Sequence, residues 1–255
     1  MEDPRPQKRR RRAISWRALF PLGLLALALV LRLAEPSLLT DIRLAVFDQY
    51  QVLKPREKTP VPIQLVDIDE RSLEQLGQWP WPRNQLARLV DAINHAGAAA
   101  IVIDVLLSEP DRLSPSAVAN MIPDWPEYQS AREAILERTG HDEQLAQSLG
   151  RANSVLGFAL DDEIVGEMPS LKAGLVRAGD PPDPFLPAFA GGISALPMLT
   201  EAAEGYGACS LVPDPDGVVR RASMLVSVAG RVLPTLDAEA LRQFVTGSGL
   251  FALMD

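Results

Sequence analysis

Cysteine is nearly absent: Cys209 is the only one in 255 residues. A single thiol closes no intramolecular disulfide and builds no multi-cysteine metal site, so it reads as a small core residue. Histidine is almost as scarce. His95 and His141 have no histidine or cysteine partner at metal spacing, and both read as structural. His95 falls near a helix C-terminus, where the dipole favours a cation. The chain also lacks a Gly-rich phosphate loop, a Gly-x-Ser-x-Gly elbow and a His-Glu-x-x-His helix. Those absences remove the commonest nucleotide, serine-hydrolase and zinc-protease readings, and no cofactor is expected.

Positive charge is concentrated at one end. Residues 1–17 hold seven Lys/Arg (Arg5, Lys8, Arg9, Arg10, Arg11, Arg12, Arg17) against Glu2 and Asp3. Taking these from totals of 25 basic and 33 acidic residues leaves 18 and 31, a net of −13 on the rest. A folded nucleic-acid binder needs positive charge on its body, so nucleic acid is excluded as a partner. A basic head before an apolar stretch instead fits the positive-inside rule.

That stretch follows directly. From Ala18 to Leu31 every residue is apolar, Pro or Gly, with Arg17 and Arg32 at the two ends and Trp16 at the first interface. A helix crossing ~30 Å of hydrocarbon needs roughly 20 residues, and flanking arginines can snorkel to the headgroups. Pro21 is tolerated near a first turn. A cleaved signal peptide has an apolar region this short. Cleavage after Ala34, however, puts Arg32 at −3, with Pro36 close behind. The expected organisation is a basic cytoplasmic tail over 1–15, a transmembrane helix over 16–34, an outer domain over 35–246 and a short apolar tail over 247–255. That tail is too short to span.

Periodicity within the outer domain predicts helices over 41–50, 84–95, 128–138, 142–149 and 234–245. Buried strands are expected over 63–68, 98–107 and 153–160. Asp69 is placed to cap a short helix that Gly77 ends. Strand, helix and strand over 63–107 form a βαβ unit with parallel pairing. Strands over 205–212 and 218–228 flank Pro213-Asp214-Pro215-Asp216-Gly217, and Asp-Gly is a hairpin signal. Residues 161–189, with three prolines in 181–184, read as a long mobile loop. The fold class is α/β: a mixed sheet with a parallel βαβ core and a C-terminal antiparallel hairpin, helices packed on the sheet, plus one N-terminal transmembrane helix.

Several segments line up in order. They are Val66-Asp67-Ile68-Asp69-Glu70-Arg71-Ser72-Leu73, Gly77-Gln78-Trp79-Pro80-Trp81-Pro82-Arg83 and Val102-Ile103-Asp104-Val105-Leu106-Leu107-Ser108-Glu109-Pro110-Asp111. After them come Asp142-Glu143-Gln144-Leu145-Ala146, Asp214-Pro215-Asp216-Gly217-Val218-Val219-Arg220-Arg221 and Pro234-Thr235-Leu236. Over roughly 40–245 this resembles the CHASE2 domain, an extracytoplasmic sensory module of bacterial receptors. The resemblance implies a membrane helix, a sensor, usually further membrane helices, and a cytoplasmic nucleotide cyclase, histidine kinase, Ser/Thr kinase or diguanylate cyclase beyond this chain.

Candidate ligand residues follow from strand ends, because parallel sheets bind ligands at their carboxyl edge. Asp67, Asp69, Asp104, Glu109 and Asp111 gather there and suit a hard cation. The plainer alternative makes Asp69 a cap, pairs Asp104 with Arg83 or Arg220, and gives Glu109 to the loop. Trp79 and Trp81 either line a pocket or wedge their loop against the core. Arg220 is expected to reach Asp104 or Glu109. The functional expectation is a sensory input domain that binds an unknown small-molecule or envelope signal. It is not itself an enzyme, it partners the inner membrane, and it forms a possible homodimer. The alternatives are a stand-alone envelope protein and a metal-dependent extracytoplasmic hydrolase.

Overall fold

The computed structural model describes residues 16–34, 37–57, 59–163, 172 and 179–247. Two compact units divide between Leu65 and Val66.

The first unit carries two helices, α1 (Trp16–Ala34) and α2 (Ser37–Leu53). Helix α1 forms where the apolar run predicts it, and side chains such as Phe20, Leu25 and Val30 are exposed along it. Its expected role as a span does not follow from its length. Among the described residues no helix is long and apolar enough to cross a membrane. Helix α2 extends beyond the expected 41–50 at both ends.

The second unit holds α3 (Glu70–Leu76), α4 (Arg83–His95), β1 (Ile101–Ile103), α5 (Pro115–Met121), α6 (Gln129–Leu136), α7 (His141–Arg151) and β2 (Ser154–Asp161). It continues through β3 (Ala188–Phe189), β4 (Gly191–Ile193), α8 (Pro197–Ala202), β5 (Gly205–Ala208), β6 (Leu225–Val228), β7 (Arg231–Pro234) and α9 (Leu236–Gly247). The tail over 248–255 lies outside the described residues, as do 164–171 and 173–178 of the loop expected over 161–189.

Strand β2 organises the larger sheet. Its first half pairs in parallel with β1, Val102 opposite Val155, and with β5, Leu156 opposite Tyr206. Its far end pairs antiparallel with β4. The parallel core is therefore β1, β2 and β5. No strand forms over the expected 63–68. Ile63 and Leu65 are 78% and 83% exposed there, and Pro62 lacks the amide a ladder needs. Apolar character alone does not make a strand without a neighbour to pair with and a layer to cover it.

The smaller sheet is β3, β6 and β7. Strands β6 and β7 are the antiparallel hairpin. Its turn is Ala229-Gly230, with φ of 48° and 76°, both positive as a two-residue type I′ turn requires. The expected hairpin turn lies earlier and is only a turn. Gly217 takes φ 81° and its amide donates to Asp214 O at 2.8 Å, but no strand flanks it. Among the described residues one bridge, Ala208 to Thr235, joins the two sheets.

Helices α4, α7 and α8 pack side by side. Leu86 and Val90 from α4, Leu145 and Leu149 from α7, Leu199 from α8, and Leu156 and Phe158 from β2 form one core. Burying each such side chain contributes about 1.5–3 kcal/mol. Helix α9 packs on β5 and β2. Gly207 makes that approach possible, because a Cβ there would lie 2.7 Å from Leu236 Cα and Thr235 O.

Candidate functional site

Two places in the second unit collect polar groups. The first is a node closing around Asp111. The tryptophan-proline segment leads into it across a cis Trp79-Pro80 bond. Trp81 is buried, and its indole N–H donates to Gly77 O at 2.8 Å. Trp79 packs edge-on against it, ring centroids 5.9 Å apart, and stays 38% exposed. Trp81 is thus the wedge and Trp79 the surface member of the pair. Together they set Pro82 at the cap of α4 and Arg83 at its first position.

The Arg83 amide donates to Asp111 Oδ2 at 2.8 Å. His141 Nδ1 meets the same oxygen at 2.8 Å, and the Leu113 amide donates to Oδ1 at 2.9 Å. In turn the Asp111 amide donates to Asp142 Oδ2 at 2.9 Å, and the His141 amide to Ser114 Oγ at 2.9 Å. Arg83 Nε lies 3.7 Å from Asp142 Oδ1. The loop after β1 is thereby tied to the N-terminal ends of α4 and α7. Burial raises the Asp111 carboxyl, but amide donors from Leu113 and Arg83, with His141, outweigh it and hold it below its ordinary value. Burial pushes the Asp142 carboxyl up, and the Asp111 amide and Arg83 only partly offset that.

The second place is a cavity of about 230 Å³ at the carboxyl ends of β1 and β5. Asp104, Cys209, Ser210, Ser223, Thr235 and Asp237 supply its polar lining. Cys209 is half-buried in this wall rather than a core residue, and its thiol donates to Phe158 O at 3.1 Å. Burial, then the neighbouring Asp104 carboxylate, pushes that thiol up. It is therefore a poor nucleophile.

The expected acidic convergence does not arise. Among the described residues no group of three or more His, Cys, Asp or Glu could hold a metal ion. Asp67 is exposed. Asp69 caps α3, accepting from the Ser72 amide at 2.9 Å and the Ser72 hydroxyl at 2.6 Å, which lower its carboxyl. Glu109 offers only its carbonyl, 3.4 Å from Arg83 Nη2. Arg83 and Asp111 meet in the node, whereas Asp104 lines the cavity. The charge partner of Arg83 is Asp142, not Asp104. Arg220 folds back onto its own turn, Nη1 3.1 Å from Asp214 and Nη2 2.6 Å from Asp216. Its donated hydrogen bonds, opposed by a smaller desolvation effect, bring Asp216 down to about 2. A turn that curls on itself puts its carboxylates nearer to Arg220 than any strand end. Sequence reasoning left His141, Asp142 and Ser114 out of the site. The available signal was the Asp142 segment, since an acidic residue at a helix start reads as dipole compensation until its burial is known.

A model of the CHASE2 domain matches residues 23–251. The chain belongs to the CHASE2 family. CHASE2 domains are sensory modules and not themselves catalytic. The match takes in α1 from Gly23, α2 and nearly all of the second unit. No curated protein and no solved structure matches the chain. The node gives the CHASE2 motif segments a physical meaning. Three of them, far apart in sequence, meet there through Arg83, Asp111 and Asp142.

Proposed function

We propose that this chain is the extracytoplasmic sensory input part of a membrane-bound bacterial receptor, with its N-terminus in the cytoplasm and its signal held in the cavity at the strand ends. The observation that carries the reading is the CHASE2 match over 23–251. The seven basic residues before Ala18 support the orientation. Helix α1 is the membrane anchor on this reading, and thinning of the bilayer offsets its short apolar stretch. The cavity opens at the carboxyl edge of parallel strands, where such sheets take ligands. At about 230 Å³ it is smaller than the roughly 300–1,000 Å³ of drug-sized pockets, so the signal is a small molecule. Catalytic output belongs to another part of the receptor.

Reporter fusions test the orientation. A periplasm-active reporter joined after Asp255 is active and one joined before Trp16 is silent; the reverse pattern ends the reading. Ser223→Trp tests the cavity. It fills the space, so a small molecule that raises the melting temperature of the parent leaves this variant unmoved. An equal shift in both places the signal elsewhere.

A further inference from the structure

The cavity at the carboxyl ends of β1 and β5 is lined unevenly in charge. Asp104 and Asp237 bring two carboxylates to it, and none of its lining residues is Lys, Arg or His. Among the described residues neither carboxylate has an ion-pair partner. Arg83, Arg220 and Arg221 are engaged elsewhere, on Asp142 and on the aspartates of the turn. The Ser223 hydroxyl in the same wall also has no hydrogen-bond partner among the described residues. Leu211, Val212 and Val226 give the cavity an apolar side.

Helix α9 begins at this cavity, and a helix start alone favours an anion. It carries the equivalent of about half a positive charge, whereas Asp237 in the first turn carries a full negative one. Asp104 adds to the negative side, so the balance of the lining is acidic. An anionic ligand would meet like charge there and be repelled. A neutral polyol would leave both carboxylates uncompensated. A bare metal ion lacks its ligands, because among the described residues no group of three or more His, Cys, Asp or Glu could hold one. An ammonium head needs only acceptors, which carboxylates and a free hydroxyl supply. We propose that the cavity takes a small organic ammonium ion, its charged head on Asp104 and Asp237 and its aliphatic body against Leu211, Val212 and Val226. This rests on the reading of that cavity as the place where the signal is held. Its volume of about 230 Å³ equals the share of about eight water molecules at roughly 30 Å³ each, which suits a short aliphatic amine. The net of −13 outside residues 1–17 draws cations toward the whole outer domain, so selectivity has to come from the cavity itself.

The test is calorimetric titration of the full chain at neutral pH with putrescine, an aliphatic diamine. The controls are the diol and the dicarboxylate (succinate) of the same carbon length. The expected result is saturable binding of the diamine and none of either control. Asp104→Asn and Asp237→Asn keep the shape of exposed side chains and should each weaken binding roughly tenfold, about what one charge-assisted hydrogen bond contributes. Either variant suffices if the other fails to fold. Ser223→Trp should abolish binding by filling the space. Diamine binding that ignores both asparagine variants is adsorption to the acidic body and overturns the proposal, as does a diamine that does not bind. Diol or succinate binding that Ser223→Trp removes keeps the cavity as the site and overturns its preference for a cation. Diamine binding lost in the asparagine variants but kept in Ser223→Trp overturns the cavity itself and leaves a surface pair of carboxylates in its place.

Discussion

Aspartates and arginines cluster twice in the second unit, and the two clusters behave differently. In the node, Asp111 bonds groups 28 to 31 residues away in sequence. In the turn, Arg220 and Arg221 bond aspartates four to seven residues away. Asp111 and Asp142 are buried, whereas Asp216 is 37% exposed. The node joins three elements that nothing local holds together. The turn only stiffens a stretch of chain that is already close to itself. Identical chemistry thus serves closure of a fold in one place and local order in the other, and sequence separation decides which.

Substitution separates the two most sharply. Asp111→Ala leaves His141 and the amides of Arg83 and Leu113 short of their acceptor, and breaking a buried pair costs roughly 3–5 kcal/mol. Calorimetry should show a large drop in melting temperature, or no folded protein. Asp216→Ala should lower the melting temperature far less, because Asp216 is 37% exposed and the buried Arg220 keeps Asp214 as its partner. Equal shifts would erase the distinction.

The tryptophans extend the same contrast. Trp81→Ala should cost about 3–5 kcal/mol, as buried aromatic truncations do. Trp79→Ala should cost clearly less in the same denaturant titration, since its ring is partly in water. A larger loss at Trp79 would make the surface ring the anchor of the node. Smaller again is Gly217→Ala. Its Cβ meets nothing within 4 Å, so only the left-handed backbone is penalised, by roughly 1–2 kcal/mol. A loss well above that range in the same titration would mean the turn matters to the fold beyond its own backbone.

Titration sharpens the comparison without any substitution. Asp216 is lowered to about 2 by Arg220. Its contribution is present above the unfolded value near 3.8 and is lost only as pH falls through the folded one. Asp142 is shifted the other way. Carboxyl NMR from pH 7 downward should therefore record Asp142 before Asp216. The reverse order would contradict both environments.

What was legible in the sequence follows the same line. Caps and helix periods are local, and so Asp69, Gly77, α4 and α7 lie close to where periodicity puts them, with β2 close behind, whereas the βαβ unit expected over 63–107 lacks its first strand. Pairing is not local. The 63–68 segment carries the residues of a strand but lacks a ladder, and the Ala229-Gly230 hairpin lacks the Asp-Gly signal that Asp216-Gly217 displays without flanking strands. For the site, Arg83, Asp104 and Asp111 were legible as residues at strand and helix ends. Their division between node and cavity was not, because it depends on Asp142 coming to Arg83 from 59 positions further along the chain. Arg220 was misassigned for the opposite reason: its partners were already beside it in the turn.

Among the described residues the two sheets meet at one backbone bridge, Ala208 with Thr235, and both of those residues line the cavity. Helix α9 starts at the next residue, Leu236, and runs twelve residues to Gly247. Mechanically this is a pivot with an arm. A rigid helix of that length reaches about 18 Å. A tilt of about 5° at its root then sweeps its far end about 1.5 Å, by the same rise per residue. Whatever wedges itself between Ala208 and Thr235 works with leverage.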